Sequence, residues 1–249
     1  MRQNKVKQQL KKVIIKVVVT IVCVIMVVYT IVQAKNKNLS VAEEAKKTNV
    51  ETSQRNINDD VDRSIGNKKY IRQVYRYLHE NYGLSAISIA GILGNWTQES
   101  GIDPIAVQGD WAYRSLKNSK NSTHDLHKDI GFAQWSTQRR QALISFSDQK
   151  YHGEWWLATT QLEFMTQYDG SFVTILKNYA LNDHGNVVEN AINFNDNWEV
   201  SPDEKGIVEK TRGANAKRVY EYMKNNNMTG GADISKIQQL RYLGDSLPY

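Results

Sequence analysis

Gly91-Ile92-Leu93-Gly94-Asn95-Trp96-Thr97-Gln98-Glu99-Ser100-Gly101-Ile102-Asp103-Pro104 is the stretch on which the reading of this chain turns. Ile89, Ile92, Trp96 and Glu99 recur at spacings of three and four, the period of a helix with one apolar face. Ser85 is a fair N-cap for that helix, and Gly101 with Pro104 ends it at once. Glu99 is thereby expected in the last turn, on the stripe that faces the core. Apolar neighbours and the carbonyl end of a helix both disfavour negative charge, so both would raise the proton affinity of a carboxyl placed there. Glycosidic cleavage needs such a group, because the leaving oxygen must receive a proton as the bond breaks. Glu99 is therefore a candidate general acid. Spacing alone fits equally well a glutamate at the edge of the stripe, solvated or paired with an arginine.

The pattern stays helical on both sides of this stretch. Ile71, Val74, Tyr75, Leu78 and Tyr82 predict an amphipathic helix from Lys68 that stops at Gly83. Further helices are expected at about 137–149, 154–168, 171–180, 187–194 and 212–225, and no convincing alternating strand appears. The fold class is mainly α. Residues 101–130 read as a long irregular loop, which inside a compact domain is more often functional than idle. The folded domain is placed at 66–228, followed by a C-terminal tail, 229–249, that either packs back or trails.

After the loop comes Asp129-Ile130-Gly131-Phe132-Ala133-Gln134-Trp135. Gln134 offers a donor and an acceptor and Trp135 a flat face, which together suit sugar hydroxyls and N-acetyl groups. The same residues also fit a turn with a core tryptophan. Ser100, Trp111 and Tyr179 are further candidates for contact with a glycan.

The net charge of +6 is concentrated at one end. Residues 1–35 hold seven Lys and Arg and no acid, leaving −1 for the rest, so the folded part lacks the basic footprint that nucleic acid requires. Residues 17–32 (VVVTIVCVIMVVYTIV) carry no charge, and Val13-Ile14-Ile15 lengthens the apolar run past Lys16. Residues 13–34 are read as a membrane-spanning signal anchor behind a basic cytoplasmic segment, 1–12, with the remainder on the extracytoplasmic, cell-wall side. A cleaved signal peptide ending at Ala34 is the alternative. Residues 35–65 are polar and aperiodic and read as a tether, about 30 Å long on average and about 100 Å when pulled straight. The one cysteine, Cys23, lies in the apolar run, so no disulfide forms within the chain. His124 and His127 have no third strong ligand nearby, and neither a metal nor a cofactor is expected.

Together these segments resemble the phage tail lysozyme family within the lysozyme-like superfamily. The likeness rests on Ala90 to Asn95, Gln98 to Pro104, and Gly131 to Trp135 followed by Arg139-Arg140. Asn197-Trp198-Glu199, Arg212, Ala216 and Arg218 are similar to the family's C-terminal helical region. Glu-Ser-Gly with a later Gly-x-x-Gln is also the pattern of soluble lytic transglycosylases. The resemblance implies a lysozyme-like α-helical domain, a muramic-acid-containing glycan of peptidoglycan as substrate, Glu99 as acid, and Gln134 lining the cleft. With the anchor added, the architecture is similar to wall-opening enzymes of Gram-positive conjugative systems, where conjugation-channel proteins would be partners. A second carboxylate is expected for hydrolysis, with Asp129 ahead of Asp110, and Asp103 is read as a turn former. Two further readings stand beside this one: a non-catalytic wall-binding module, and a scaffold of a membrane complex.

Overall fold

The computed structural model describes residues 61–62 and 65–244. The segments 1–12 and 13–34, with Cys23 and Ala34, and nearly all of 35–65 lie outside the described residues. Among the described residues no helix is long and apolar enough to cross a membrane.

Two short strands, β1 (Val61–Asp62) and β2 (Gly66–Asn67), pair antiparallel ahead of α1 (Lys68–Arg76), whose N-cap Asn67 accepts from the Lys69 amide. Then follow α2 (Ala86–Ser100), α3 (Leu116–Asn121), α4 (Thr137–Lys150), α5 (Ala158–Glu163) and α6 (Phe172–Leu181). The chain continues through α7 (Val187–Phe194), α8 (Lys205–Val208), α9 (Ala214–Asn225) and α10 (Ile234–Ile237). Helices α1, α5, α7 and α8 each run on into a five-residue π-helical turn: Tyr77–Asn81, Phe164–Tyr168, Asn195–Glu199 and Glu209–Gly213. The stretch expected as one helix at 154–168 thus begins at Ala158 and widens at Phe164. The loop expected at 101–130 contains one short helix, α3, and is otherwise irregular.

Helix α2 starts where Ser85 caps it, its hydroxyl accepting from the Ser88 amide, and ends at Gly101, which adopts φ +68°. That left-handed conformation costs a glycine nothing and turns the chain out of the helix. The expectation of a single apolar face is corrected. Ile89, Ile92, Leu93 and Trp96 are buried, but so are Ser88, Ala90, Gly91, Gly94, Asn95 and Thr97, because α7 and α9 pack against α2 from different sides. Close approach depends on Gly94, where a Cβ would lie 2.5 Å from the Ala216 Cβ and 2.7 Å from its backbone. The Asn95 amide, sealed in this packing, donates to the Gly91 and Ala191 carbonyls at 2.9 and 3.0 Å.

Aromatic rings fill the space between α2 and the later helices. Trp96 lies flat on Phe132 at 5.0 Å, Trp135 meets Trp198 and Phe164 edge-on, and Trp198 stacks on Phe194 at 4.9 Å. All six are essentially unexposed, and burying each large apolar side chain is worth roughly 1.5–3 kcal/mol. Residues 229–244 pack onto the domain: Ile237 and Leu240 are buried, and the Gly230 carbonyl accepts from the Ala86 amide at 2.8 Å.

Candidate active site

The end of α2 is held from two directions. On one side Ser100, fully buried, donates its hydroxyl to the Phe132 carbonyl at 2.7 Å, and the Asn67 amide donates to the Gly101 carbonyl at 2.9 Å. On the other, Arg114 donates to the Ser100 carbonyl at 2.5 Å and pairs with Asp110 (2.9 Å) and Asp103 (3.4 Å). A cation at the carbonyl end of a helix complements its dipole. Asp103 also accepts from the Ile105 amide, the contact of a turn former. Asp110 is fully buried against Arg114, which removes it from the candidates for a second catalytic carboxylate.

From this framed end Glu99 reaches out, its side chain 23% exposed, and pairs with Arg212 at 2.6 Å. Arg212 comes from the π turn Glu209–Gly213, is 4% exposed, and also contacts Asp203 at 3.3 Å. The arginine-paired arrangement that spacing allowed for Glu99 is therefore the one found.

Asp129 approaches from the loop side. Its carbonyl accepts from the Gln108 amide at 2.8 Å, and Ile130 bridges both Val107 and Trp135. This small ladder sets the half-buried Asp129 close enough to Glu99 for mutual repulsion. Burial first, and then the Glu99 charge, raise its proton affinity against the opposing pull of Arg140. Arg140 itself is buried and donates to the Ser122 and Thr123 carbonyls at 2.9 Å, holding the long loop in place.

A third carboxyl completes the group. Glu199, the last residue of the π turn Asn195–Glu199, is pushed from an ordinary 4.5 up to about 8, by burial first and by the neighbouring Glu99 second, with Arg139, Arg212 and the Trp96 indole pulling the other way. Reading the sequence placed Asn197-Trp198-Glu199 only by likeness and gave Glu199 no role. Its signal, a carboxylate directly after a core tryptophan, is shared with many surface helices.

The other candidates divide. Trp111 is 52% exposed, with its ring over Gly101 and the Arg114 guanidinium 4.7 Å from its centroid, so it offers a free aromatic surface beside the end of α2. Gln134 is partly buried at φ +47°, its side-chain amide donating to the Gly131 carbonyl at 3.1 Å within the Ile130–Trp135 turn. Three expected glycan contacts are corrected. Trp135 is 1% exposed and wedged among Trp96, Phe164 and Trp198, because its ring completes the aromatic core. Tyr179 is shut in under α2, donating to the Ser88 carbonyl at 2.6 Å. Ser100 uses its hydroxyl to dock the Phe132 turn. A core residue that the reading missed, Gln161, accepts from the Phe132 amide at 2.9 Å and donates to the Pro104 carbonyl at 2.7 Å, joining both walls of the site.

No curated protein and no solved structure matches the chain. The phage tail lysozyme model matches residues 69–223, from α1 to α9, which encloses Glu99, Asp129, Glu199 and Arg212. The chain belongs to the phage tail lysozyme family.

Proposed function

We propose that this protein is a peptidoglycan-lytic glycosidase that cleaves the β-1,4 bond between N-acetylmuramic acid and N-acetylglucosamine, with Glu99 as general acid. The observation that carries this reading is the position of Glu99: in a domain of the lysozyme family, at the capped end of α2, part-exposed, and within electrostatic reach of two further carboxyls. Glu99 protonates the glycosidic oxygen as the C1–O bond breaks, and Asp129, across from it, directs a water to the oxocarbenium-like centre. Trp111 supplies a stacking face for a sugar ring. Lytic transglycosylation, with the muramoyl 6-hydroxyl in place of water, is the second reading. It is favoured by Glu99-Ser100-Gly101 with the later Gly131-Phe132-Ala133-Gln134, the pattern of soluble lytic transglycosylases, which need no second carboxylate as base.

The N-terminal sequence supports an anchored form. Residues 13–34 would hold the domain outside the cytoplasmic membrane, and residues 35–65 would let it reach the wall, where local opening serves a conjugative or secretion apparatus.

Digestion of purified peptidoglycan by the full-length chain and its Glu99→Gln variant, with mass spectrometry of released muropeptides, tests the reading. Products with a reducing N-acetylmuramic acid, lowered at least about 100-fold in the variant, are expected. 1,6-Anhydro products would assign transglycosylation instead, and equal release by the variant would remove Glu99 as the acid. Binding without release by either protein would establish a wall-binding module.

A further inference from the structure

Large aromatic side chains are normally withdrawn from water, and the tryptophans of this chain follow the rule with one exception. Trp96, Trp135, Trp155 and Trp198 are buried and Trp156 is half-buried, whereas Trp111 is 52% exposed. Tyr113, two residues on in the same turn, is 62% exposed, its amide donating to the Asp110 carbonyl at 2.9 Å.

Trp111 is nevertheless held in place. The edge of its ring stands 3.2 and 3.4 Å from where a Cβ on Gly101 would lie, so only a glycine lets the ring settle against the end of α2. The Arg114 guanidinium lies over the ring, 4.7 Å from its centroid. Arg114 is in turn fixed by three acceptors: the Ser100 carbonyl at 2.5 Å, Asp110 at 2.9 Å and Asp103 at 3.4 Å. Asp110 is fully buried, with its second oxygen accepting from the Asn118 amide at 3.5 Å, so the anchor does not swing. One side chain thus joins the residue that follows Glu99 to an aromatic ring presented to solvent. The two contacts ask for different chemistry. Any cation complements the carbonyl end of a helix, but only a planar guanidinium also stacks on an indole.

We propose that Arg114 is a positioning residue of the glycan site: it fixes the Trp111 ring as a ready-made platform for an N-acetylhexosamine ring and ties that platform to the end of α2, so that the stacked sugar and the Glu99 carboxyl are held as one unit. This rests on the assignment of Glu99 as the acid. A pyranose ring has an apolar C–H face that fits an indole, and a ring already immobilised loses little further freedom when the sugar arrives. Tying the platform to Ser100 keeps the glycosidic oxygen in register with the acid, where an error of about 1 Å costs about 100-fold in rate.

The test compares full-length wild type with Trp111→Ala, Arg114→Lys, the double variant Trp111→Ala/Arg114→Lys, Arg114→Ala and Glu99→Gln. Binding of a β-1,4-linked N-acetylglucosamine hexamer is followed on mixing by tryptophan fluorescence, which reports on the exposed Trp111. Muropeptide release from soluble glycan strands gives kcat and KM. The hexamer should change the fluorescence of wild type and leave that of Trp111→Ala unaltered. Trp111→Ala should raise KM about 10-fold, and Arg114→Lys, which keeps the charge but loses the stack, should raise it several-fold. Adding Arg114→Lys to Trp111→Ala should raise KM no further, because the ring it positions is gone. Arg114→Ala should in addition lower kcat about 10-fold, since the end of α2 loses its cation. Additive losses in the double variant would overturn the proposal, as would wild-type kinetics in Arg114→Lys or a fluorescence change that survives in Trp111→Ala. Should Arg114→Ala fail to fold, the cycle built on Arg114→Lys decides alone. Glu99→Gln separates the two assignments: loss of turnover with hexamer binding intact supports the acid whatever Arg114 does, and retained turnover would overturn the acid and the coupling to it together.

Discussion

A carboxyl deprived of water keeps its proton unless a cation or a donor holds the charge for it, and at Glu199 burial outweighs the pull of Arg139, Arg212 and the Trp96 indole. The consequence reaches stability as well as chemistry. Because its folded value of about 8 lies above the unfolded 4.5, the native state binds the extra proton. The resulting stabilisation is complete below about pH 4.5 and is lost as pH rises through 8. Replacing Glu199 by Gln removes this dependence. Thermal unfolding of the two proteins should show wild type losing stability relative to the variant between pH 5 and 8, on the order of 2 kcal/mol. A pH-independent difference would place Glu199 outside this linkage. At this scale the sequence was readable where local rules decide. Glu99 could be located because Gly101 and Pro104 end its helix, and Asp103 because aspartate before proline turns. Trp135 and Tyr179 were misplaced because an aromatic ring suited to a sugar is equally suited to a core, and only the packing of distant helices separates the two. Arg212 lies 113 residues from Glu99, and no local pattern announces that pairing.

Two of the four π turns among the described residues carry charged neighbours of Glu99: Asn195–Glu199 holds Glu199 and Glu209–Gly213 holds Arg212. Widening the helix by one residue per turn rotates everything after it, so a side chain read at the 3.6-residue period falls on the wrong face. That is why α7 was expected at its true limits of 187–194 while the residue five positions beyond it, named only by likeness, was given no role. The buried helix α2 was readable in extent but not in surroundings, since residues such as Gly91, Gly94 and Asn95 look polar or neutral until α7 and α9 close on them. Gly94→Ala tests that closure. Alanine gains about 1 kcal/mol over glycine in a helix interior, but its methyl would meet the Ala216 backbone at 2.7 Å, which cannot rotate away. Overpacking against backbone should outweigh propensity and leave a net loss of about 1–3 kcal/mol in denaturant unfolding. Unchanged or raised stability would show that α9 can shift outward, and with it Arg212.

The whole domain is laid out along α2, whose fifteen residues span about 22 Å. Glu99 is at its C-terminal end, and the segment after α9 packs at its N-terminal end, where Gly230 accepts from the Ala86 amide and Asp233 donates to the Gly83 carbonyl. The family match stops at residue 223, short of this segment, yet Ile237 and Leu240 are as buried as the rest of the core. Nothing local in 229–249 announced that docking, because a four-residue helix with two apolar side chains has no period to read. The segment therefore acts on stability and not on the chemistry 22 Å away. Truncation of the full-length chain after Met228 removes two buried aliphatic side chains and frees the first amides of α2, a loss of about 3 kcal/mol after the entropy of the released segment is set against it. For a domain of this size that lowers the melting temperature by roughly 6–12 °C. Muropeptide release per folded molecule, measured well below the new melting point, should match wild type. A melting temperature unaltered by the truncation would mean that the segment adds no stability, and a specific loss of turnover at full folding would mean that the α2 rod transmits its N-terminal packing to Glu99.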